Sequence, residues 1–118
     1  MHFDTEKAIY LQIADHVMEK ILKEEWQAEQ KILSVRDLAG ELQVNPNTVM
    51  RAYDLLQQQD IIYNKRGLGF FVAAEAKQTV AGMKKKYFID VELPQFFSTL
   101  DLLGISIEEV NTYYKKRN

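Results

Sequence analysis

The first pattern of apolar positions predicts an amphipathic helix over residues 6–25. Apolar side chains recur there at every fourth position, which places them on one face of a helix. Asp4 or Thr5 is expected to cap its first turn, and the polar residues 27–30 are expected to form a connection. The predicted apolar stripe consists of Ile9, Ile13, Val17 and Ile21.

Two shorter helices are predicted to follow, joined by a tight turn. Ser34, with an acidic residue three positions later, is typical of a helix start, and that helix is expected to end near Gln43. Asn45 is a favourable N-cap for the next helix, and Pro46 suits its first position. Two short helices with such a turn between them form a helix-turn-helix.

A β-hairpin is predicted after the helix-turn-helix. The runs 61–63 and 70–72 are rich in β-branched and aromatic residues, and the polar, glycine-rich segment 64–69 separates them. A hairpin in this position is the wing of a winged helix-turn-helix.

Helical spacing of apolar residues returns in the remainder of the chain. Pro94 is expected to kink or interrupt the first helix there. Gly104 is expected to end the helical run, and Ser106 to cap a last helix. The patterns predict a mainly α-helical fold with a small β-hairpin, in which residues 1–75 form a winged helix-turn-helix and residues 76–118 a helical tail.

Composition restricts the classes of function. The chain has 118 residues, enough for one domain or one small domain with an appendage, and it contains no cysteine. Disulfide scaffolds, thiol catalysis and cysteine-ligated metals are therefore excluded. The sequence has no nucleophile motif, no phosphate loop and no metal-ligand spacing, so we expect no enzyme, no metal site and no cofactor. Because neither a secretory signal nor a membrane span is recognisable, the expected location is the cytoplasm, with no membrane partner.

Charge is distributed unevenly along the chain. The formal net charge is −2, which argues against a non-specific nucleic-acid coat. Residues 1–75 contain 8 Lys or Arg and 12 Asp or Glu, a net −4, whereas residues 76–118 contain 7 and 5, a net +2. The predicted helix-turn-helix lies in the acidic part, so the local arrangement of cations must decide whether it binds DNA.

The predicted winged helix-turn-helix carries side chains suited to DNA in each of its parts. The second helix of such a unit enters the major groove, where base edges are distinguishable, and the wing reaches the backbone or the minor groove. Hydroxyl, amide and guanidinium groups at helix starts can bind phosphates or base edges, and glycines allow close approach. The predicted DNA-binding residues are Ser34, Arg36, Asn45, Asn47, Thr48, Arg51, Lys65, Arg66, Gly67 and Gly69.

These motifs resemble the N-terminal domain of GntR-type transcriptional regulators. The family pattern is roughly Pro-Ser-x-Arg-x-Leu-Ala, then Val-Asn-x-x-Thr-Val-x-Arg-Ala-Tyr, then Gly-x-Gly-x-x-Val. Residues 34–39, 44–53 and 67–72 match it in the same order, and the first predicted helix is also similar to that of the family. The resemblance implies a winged helix-turn-helix that binds double-stranded DNA.

The sequence departs from the family pattern at several positions. Leu33 and Asp60 stand where the family has proline and glycine, and Phe70 stands where many relatives have threonine. Pro46 and Met50 occupy positions at which some members carry basic residues that read bases. Since neither side chain can make a bidentate contact to guanine, the operator sequences of those members do not transfer to this chain.

The short C-terminal region resembles that of the small YtrA-type subgroup, whose two-helix tail serves dimerisation. Two helices cannot bury all of the aromatic and leucine side chains found here, and an exposed apolar patch of that size implies a partner. We expect a homodimer; a small-molecule pocket formed by the same aromatic residues is the alternative. The predicted interface residues are Tyr87, Phe88, Val91, Phe96, Phe97, Leu100, Leu103, Tyr113 and Tyr114.

The resulting prediction is a dimeric repressor that binds an inverted-repeat operator. The resemblance implies a nearby transporter operon as its target. Two alternatives stay open: a winged-helix module that binds a protein and has lost specific DNA binding, and a sensor in which a small-molecule effector controls DNA binding. The lysines at 84–86 are either a solvated helix face or an additional DNA contact.

Overall fold

A helix-turn-helix and a β-hairpin form the N-terminal part of the fold, and helices form the rest. The computed structural model describes residues 1–117. It confirms the predicted mainly helical architecture with one antiparallel hairpin. The chain divides into two compact units, Met1–Gly82 and the part from Met83 onward. The elements are α1 (Ile9–Leu22), α2 (Val35–Leu42), α3 (Pro46–Gln58), β1 (Ile62–Lys65), β2 (Gly69–Val72), α4 (Ala76–Tyr87), α5 (Leu93–Leu103) and α6 (Ile107–Lys116).

The core of the N-terminal unit forms around α3, which packs against both α1 and α2. The apolar face of α3 is fully buried, as its helical spacing predicts. Ile9 is an exception to the predicted stripe of α1, because 44% of its surface is exposed. The core side chains that lose essentially all of their exposure include Ile13, Val17, Leu38, Val49, Tyr53, Leu56, Ile61 and Val80.

The start of α1 differs from the prediction that Asp4 or Thr5 caps it. The helix begins at Ile9, and its N-cap residue, Ala8, makes no side-chain capping bond. The Asp4 backbone is instead bound by a side chain of the helix: its N–H donates to Gln12 Oε1, and Gln12 Nε2 donates to its carbonyl, both at 2.7 Å. The N-terminal segment is therefore folded onto α1 and does not cap it.

The wing is a two-stranded hairpin with a third segment along its edge. β1 and β2 pair antiparallel. The segment 29–32, of which residues 29 and 30 were predicted to belong to a polar connection, lies along the other edge of β2. The Glu29 N–H donates to the Val72 carbonyl at 2.8 Å, and the Ile32 N–H donates to the Phe70 carbonyl at 2.9 Å. These bonds tie the wing to the chain that leads into α2.

A wide helical turn separates α4 from α5. Residues Phe88–Glu92 form a turn of π-helix, and the Leu93 N–H donates to the Phe88 carbonyl. Pro94 follows in the first turn of α5. Because proline lacks an N–H and its ring crowds the carbonyl four residues earlier, the regular α-helical pattern cannot run through this point. The predicted interruption is confirmed, and it takes the form of a π-turn.

The last two helices end and begin as predicted. Gly104 ends α5 in the left-handed conformation, with φ of 69°. The Ser106 hydroxyl accepts a hydrogen bond from the Glu109 N–H at 3.1 Å and caps α6. The predicted tail is thus the run of α4, the π-turn and α5, followed by α6.

Candidate nucleic-acid interface

The helix-turn-helix is shaped by capping bonds at the starts of α2 and α3. The Ser34 hydroxyl accepts a hydrogen bond from the Asp37 N–H at 3.0 Å. The Asn45 side-chain oxygen accepts one from the Asn47 N–H at 2.8 Å. Gln43 ends α2 in the left-handed conformation, with φ of 57°. Both predicted caps are confirmed, and together with the turn they determine where α3 begins.

The first turns of α3 present a group of polar side chains. Asn45, Asn47 and Arg51 are exposed, and Thr48 is half-buried. The start of a helix carries partial positive charge, so this end of α3 favours an anion. Four predicted DNA-binding residues are therefore brought together. The open cleft they form, about 420 Å³ in volume, is lined by Ala8, Ile9, Tyr10, Asn45, Asn47, Thr48 and Arg51.

Arg51 is held by an aromatic ring. The carbon of its guanidinium lies 3.9 Å from the centre of the Tyr10 ring, a stacking distance for a cation on an aromatic face. Within residues 1–117 it forms no ion pair with Asp37 or Asp54. Tyr10 was not among the predicted site residues, because α1 and α3 are far apart in sequence. The only signal for it was the similarity of the first helix to that of the family.

Arg36 lies in the first turn of α2, directly after the Ser34 cap and Val35. Its side chain is exposed, and nothing in the part of the chain that the structure describes binds its guanidinium. All of its N–H donors are therefore free to meet a phosphate or a base edge. Ser34 is also exposed, and its hydroxyl can still donate a hydrogen bond while its oxygen caps the helix.

The tip of the wing combines cations with glycine. Lys65 at the end of β1 pairs with Gly69 at the start of β2. Gly67 and Gly69 have φ values of 80° and 114°, which other residues rarely adopt. Lys65 and Arg66 are exposed, and the Lys65 ammonium lies 4.9 Å from the centre of the Phe71 ring. The predicted wing residues thus lie together at one turn.

A further cation, Lys31, lies beside the wing. Its backbone bridges to Phe71 along the edge of β2. A Cβ added to Gly69 would lie 3.2 Å from Lys31 Cε and 3.9 Å from its Nζ, so the lysine side chain lies against the glycine backbone. No local pattern indicated this residue, since its place depends on pairing with a distant strand.

Tyr53 joins α3 to the start of α2 and to the wing. Its side chain is fully buried, and its ring packs edge-on against Phe70, with centroids 4.9 Å apart. Its hydroxyl donates to the Leu33 carbonyl at 2.7 Å. Burial raises the pKa of Tyr53 well above its ordinary value of 10.0, so the hydroxyl stays protonated as a donor.

Two of the departures from the family pattern have visible structural reasons. Phe70 is buried against the ring of Tyr53. Asp60 has φ of 60°, a left-handed value that aspartate adopts more readily than most residues other than glycine. Pro46 lies in the first turn of α3, and Met50, which is half-buried, lies in the second. Neither of these two side chains offers a donor for reading bases.

The unit from Met83 onward carries an extensive exposed apolar surface. Of the predicted interface residues, Leu100 is buried within the chain and Val91 is half-buried. Leu102, which the prediction did not include, is 84% exposed, and Ile89 and Ile107 are also exposed. The predicted interface residues that remain exposed are Tyr87, Phe88, Phe96, Phe97, Leu103, Tyr113 and Tyr114.

Residues 1–117 contain no group of three or more His, Asp or Glu side chains placed to hold a metal ion. No helix in the described chain is both long and apolar enough to cross a membrane. His16 on α1 is half-buried, and burial together with the nearby Lys20 lowers its pKa.

A helix-turn-helix with exposed polar residues at the start of its second helix, followed by a basic wing, defines a winged helix-turn-helix DNA-binding domain. The family model for bacterial regulatory proteins of the gntR family matches residues 9–72. The chain is 36% identical to the HTH-type transcriptional regulator YhcF of Bacillus subtilis, over 92% of this chain and 88% of YhcF. It is 33% identical to the HTH-type transcriptional repressor YtrA of the same organism, over 92% and 82% of the two chains. The chain belongs to the GntR family of transcriptional regulators, and these matches support its predicted place in the short YtrA-like subfamily.

Solved structures agree with this assignment. A GntR-family transcriptional regulator from Bacteroides thetaiotaomicron superposes with a TM-score of 0.78 and 48% identity, covering 92% of this chain and 95% of that one. The DNA-binding domain of AraR, solved in complex with the operator ORR3, superposes with a TM-score of 0.53 and 28% identity, covering 54% of this chain and 77% of that one. The names of the family and of these relatives are those of transcriptional regulators and not of enzymes.

Proposed function

We propose that this chain is a repressor that binds a specific inverted-repeat operator as a homodimer. The observation that carries the proposal is the cleft at the start of α3, where polar side chains and Arg51 come together. The similarity to AraR, solved on an operator, supports DNA as the ligand of that surface. The name of YtrA, a transcriptional repressor, supports repression as the outcome.

The proposed contacts divide into base reading and phosphate binding. Asn47 and Arg51 enter the major groove, because amide and guanidinium groups can read the edges of adenine and guanine. Ser34 and Arg36 at the start of α2 bind a phosphate or a guanine beside them. The cations of the wing, together with Lys31, bind the neighbouring backbone, which supplies affinity that depends strongly on salt.

The exposed apolar surface of the unit from Met83 onward supports a homodimer. A large apolar patch is unfavourable in water unless a partner covers it, and a second copy of the chain is the simplest partner. A twofold dimer presents two α3 helices about one turn of DNA apart, roughly 34–36 Å, and so reads an inverted repeat. The YtrA-type resemblance leads us to propose a nearby transporter operon as the target.

Selection of duplexes from a random-sequence library tests the DNA-binding proposal. We expect an enriched inverted repeat, bound roughly 10³-fold or more tightly than a scrambled duplex in fluorescence-anisotropy titrations. Arg36→Ala is expected to abolish this preference while the protein stays folded. Lys23→Ala removes an equal charge just after the end of α1, where Lys23 pairs with Glu19, and is expected to keep the preference for the enriched sequence. If no sequence is enriched, the proposal fails; if folded Arg36→Ala binds normally, the role of Arg36 fails.

Sedimentation equilibrium at several protein concentrations tests the homodimer. We expect the wild-type chain to be dimeric and Leu102→Asp to be monomeric, because a carboxylate in a covered apolar surface has no partner. Leu68→Asp makes the same change at an exposed leucine of the wing and is expected to leave the dimer intact. A wild-type chain that sediments as a monomer throughout would contradict the proposal.

A further inference from the structure

We infer that Tyr10 is a positioning residue, which holds the guanidinium of Arg51 in the orientation that DNA requires. Arg51 lies on α3, the helix assigned to the major groove, whereas Tyr10 lies in the first turn of α1. The inference rests on the proposed function, because it matters only if the start of α3 meets DNA. It adds a residue from outside the helix-turn-helix to the determinants of operator binding.

The geometry places the two side chains in direct contact. The guanidinium carbon of Arg51 lies 3.9 Å from the centre of the Tyr10 ring. Both residues line the cleft at the start of α3. Because α1 and α3 pack together through a fully buried core, the ring is carried on a rigid support. The contact therefore restricts a long, exposed side chain that would otherwise sample many rotamers.

The chemistry of the contact suits a side chain that must bind DNA. A guanidinium stacked on an aromatic face keeps its N–H donors in its own plane, so none of them is used by the ring. Its positive charge is also not neutralised. An ion pair, such as that between Lys86 and Asp90 at 2.7 Å, consumes donors and cancels the charge. Tyr10 can thus orient Arg51 and leave it fully able to bind a phosphate or a guanine.

Core packing alone does not account for Tyr10. The residues of α1 that build the core, such as Ile13 and Val17, are fully buried, whereas Tyr10 is only half-buried and borders the cleft. Its hydroxyl makes no hydrogen bond within residues 1–117. The Tyr10 ring contributes its aromatic face, and the guanidinium of Arg51 lies over that face.

A double-mutant cycle on DNA affinity tests the inference, with the duplex enriched from the random library as the probe. We expect Tyr10→Leu, which keeps apolar bulk and removes the aromatic face, to weaken binding about 3- to 10-fold. Tyr10→Phe, which keeps the face, should bind within about twofold of wild type. In an Arg51→Ala background, Tyr10→Leu should have no further effect, since the group it positions is gone.

The controls separate positioning from a general loss of structure. Lys20→Gln removes a looser cation–aromatic contact, 5.6 Å to Trp26, at the far end of α1, and should leave affinity unchanged. Urea unfolding checks that each variant is folded, and Tyr10→Met replaces Tyr10→Leu in the cycle should that variant fail to fold. Equal effects of the Tyr10 substitution with and without Arg51 would overturn the inference, as would an Arg51→Ala variant that binds normally. If the wild-type chain enriches no duplex at all, the proposed function itself has failed.

Discussion

Replacing Tyr53 by phenylalanine removes one hydroxyl from the core and retains the ring. The edge-on contact with Phe70 is kept, and the 2.7 Å hydrogen bond to the Leu33 carbonyl is lost. Leaving one partner of a buried hydrogen bond unsatisfied costs roughly 1–3 kcal/mol. Because Leu33 is half-buried, water can replace part of the lost interaction. We therefore expect the free energy of unfolding to fall by about 1–2 kcal/mol.

The same substitution should change the response to alkaline pH. Burial raises the pKa of Tyr53 above the 10.0 of an unfolded chain, so above pH 10 the folded state keeps a proton that the unfolded state loses. The contribution of the protonated Tyr53 hydroxyl to stability is then fully present below pH 10 and falls as pH rises, by up to about 1.4 kcal/mol per pH unit. Phenylalanine cannot ionise, so the difference between the two proteins should narrow above pH 10.

Urea titrations followed by Trp26 fluorescence measure both effects. Trp26 is the single tryptophan and is 9% exposed, so its emission reports unfolding of the N-terminal unit. The pKa of Tyr63 is also raised, by desolvation and by its hydrogen bond to Glu29, but both proteins contain it and its effect cancels in the comparison. Protein concentration must be equal throughout, because association shifts apparent stability. Equal stabilities at pH 8 would refute the hydrogen-bond argument, and a constant difference up to pH 11 would refute the ionisation argument.

Further predictions concern single residues of the N-terminal unit. Ser34→Ala should lower the free energy of unfolding by about 1 kcal/mol in the same urea titration, because the helix loses its cap. Ser34→Asp should keep the wild-type free energy of unfolding, because aspartate can also cap the helix. Gly40→Ala should stabilise by about 0.5–1 kcal/mol, because this glycine lies inside α2 with nothing within 4 Å of the added Cβ. Gly69→Ala should destabilise by at least about 1 kcal/mol, because its φ is 114° and the Cβ would meet Lys31; a neutral result would contradict the strain argument. The wild-type protein should lose thermal stability as pH falls below 6.5, because the pKa of His16 is lowered in the folded state and protonation therefore favours the unfolded chain. His16→Gln should remove this loss, and identical pH profiles of thermal stability for the two proteins would refute the prediction.

Features that depend on neighbouring residues could be predicted from the sequence. The caps at Ser34, Asn45 and Ser106 each involve a backbone N–H no more than three residues away, and the end of α5 needs only the left-handed freedom of Gly104. Such bonds follow from the residue type and its immediate surroundings. For the same reason both limits of α2 and the start of α3 agree with the prediction.

Features that depend on distant residues could not be predicted in this way. Asp4 is a reasonable cap by type, but its backbone is bound by the side chain of Gln12, in the first turn of α1. Lys31 is placed by pairing with β2, and the partner of Arg51 comes from another helix. Each of these contacts depends on which elements pack together, and the local propensities of the residues do not determine that packing. The contacts of the candidate residues with DNA remain predictions for the same reason, since they depend on a partner outside the chain.

The acidic balance of the N-terminal unit is compatible with DNA binding because carboxylates pair with only some of its cations. Lys7, Lys23 and Lys77 are paired with carboxylates. In the part of the chain that the structure describes, the cations proposed to meet DNA form no such pairs; these are Lys31, Arg36, Arg51, Lys65 and Arg66. Arg51 and Lys65 instead lie against aromatic rings, which orient a cation without cancelling its charge. Since salt screens exposed charges beyond about 8 Å at physiological ionic strength, a phosphate at the helix starts or the wing responds mainly to these cations and little to the net charge.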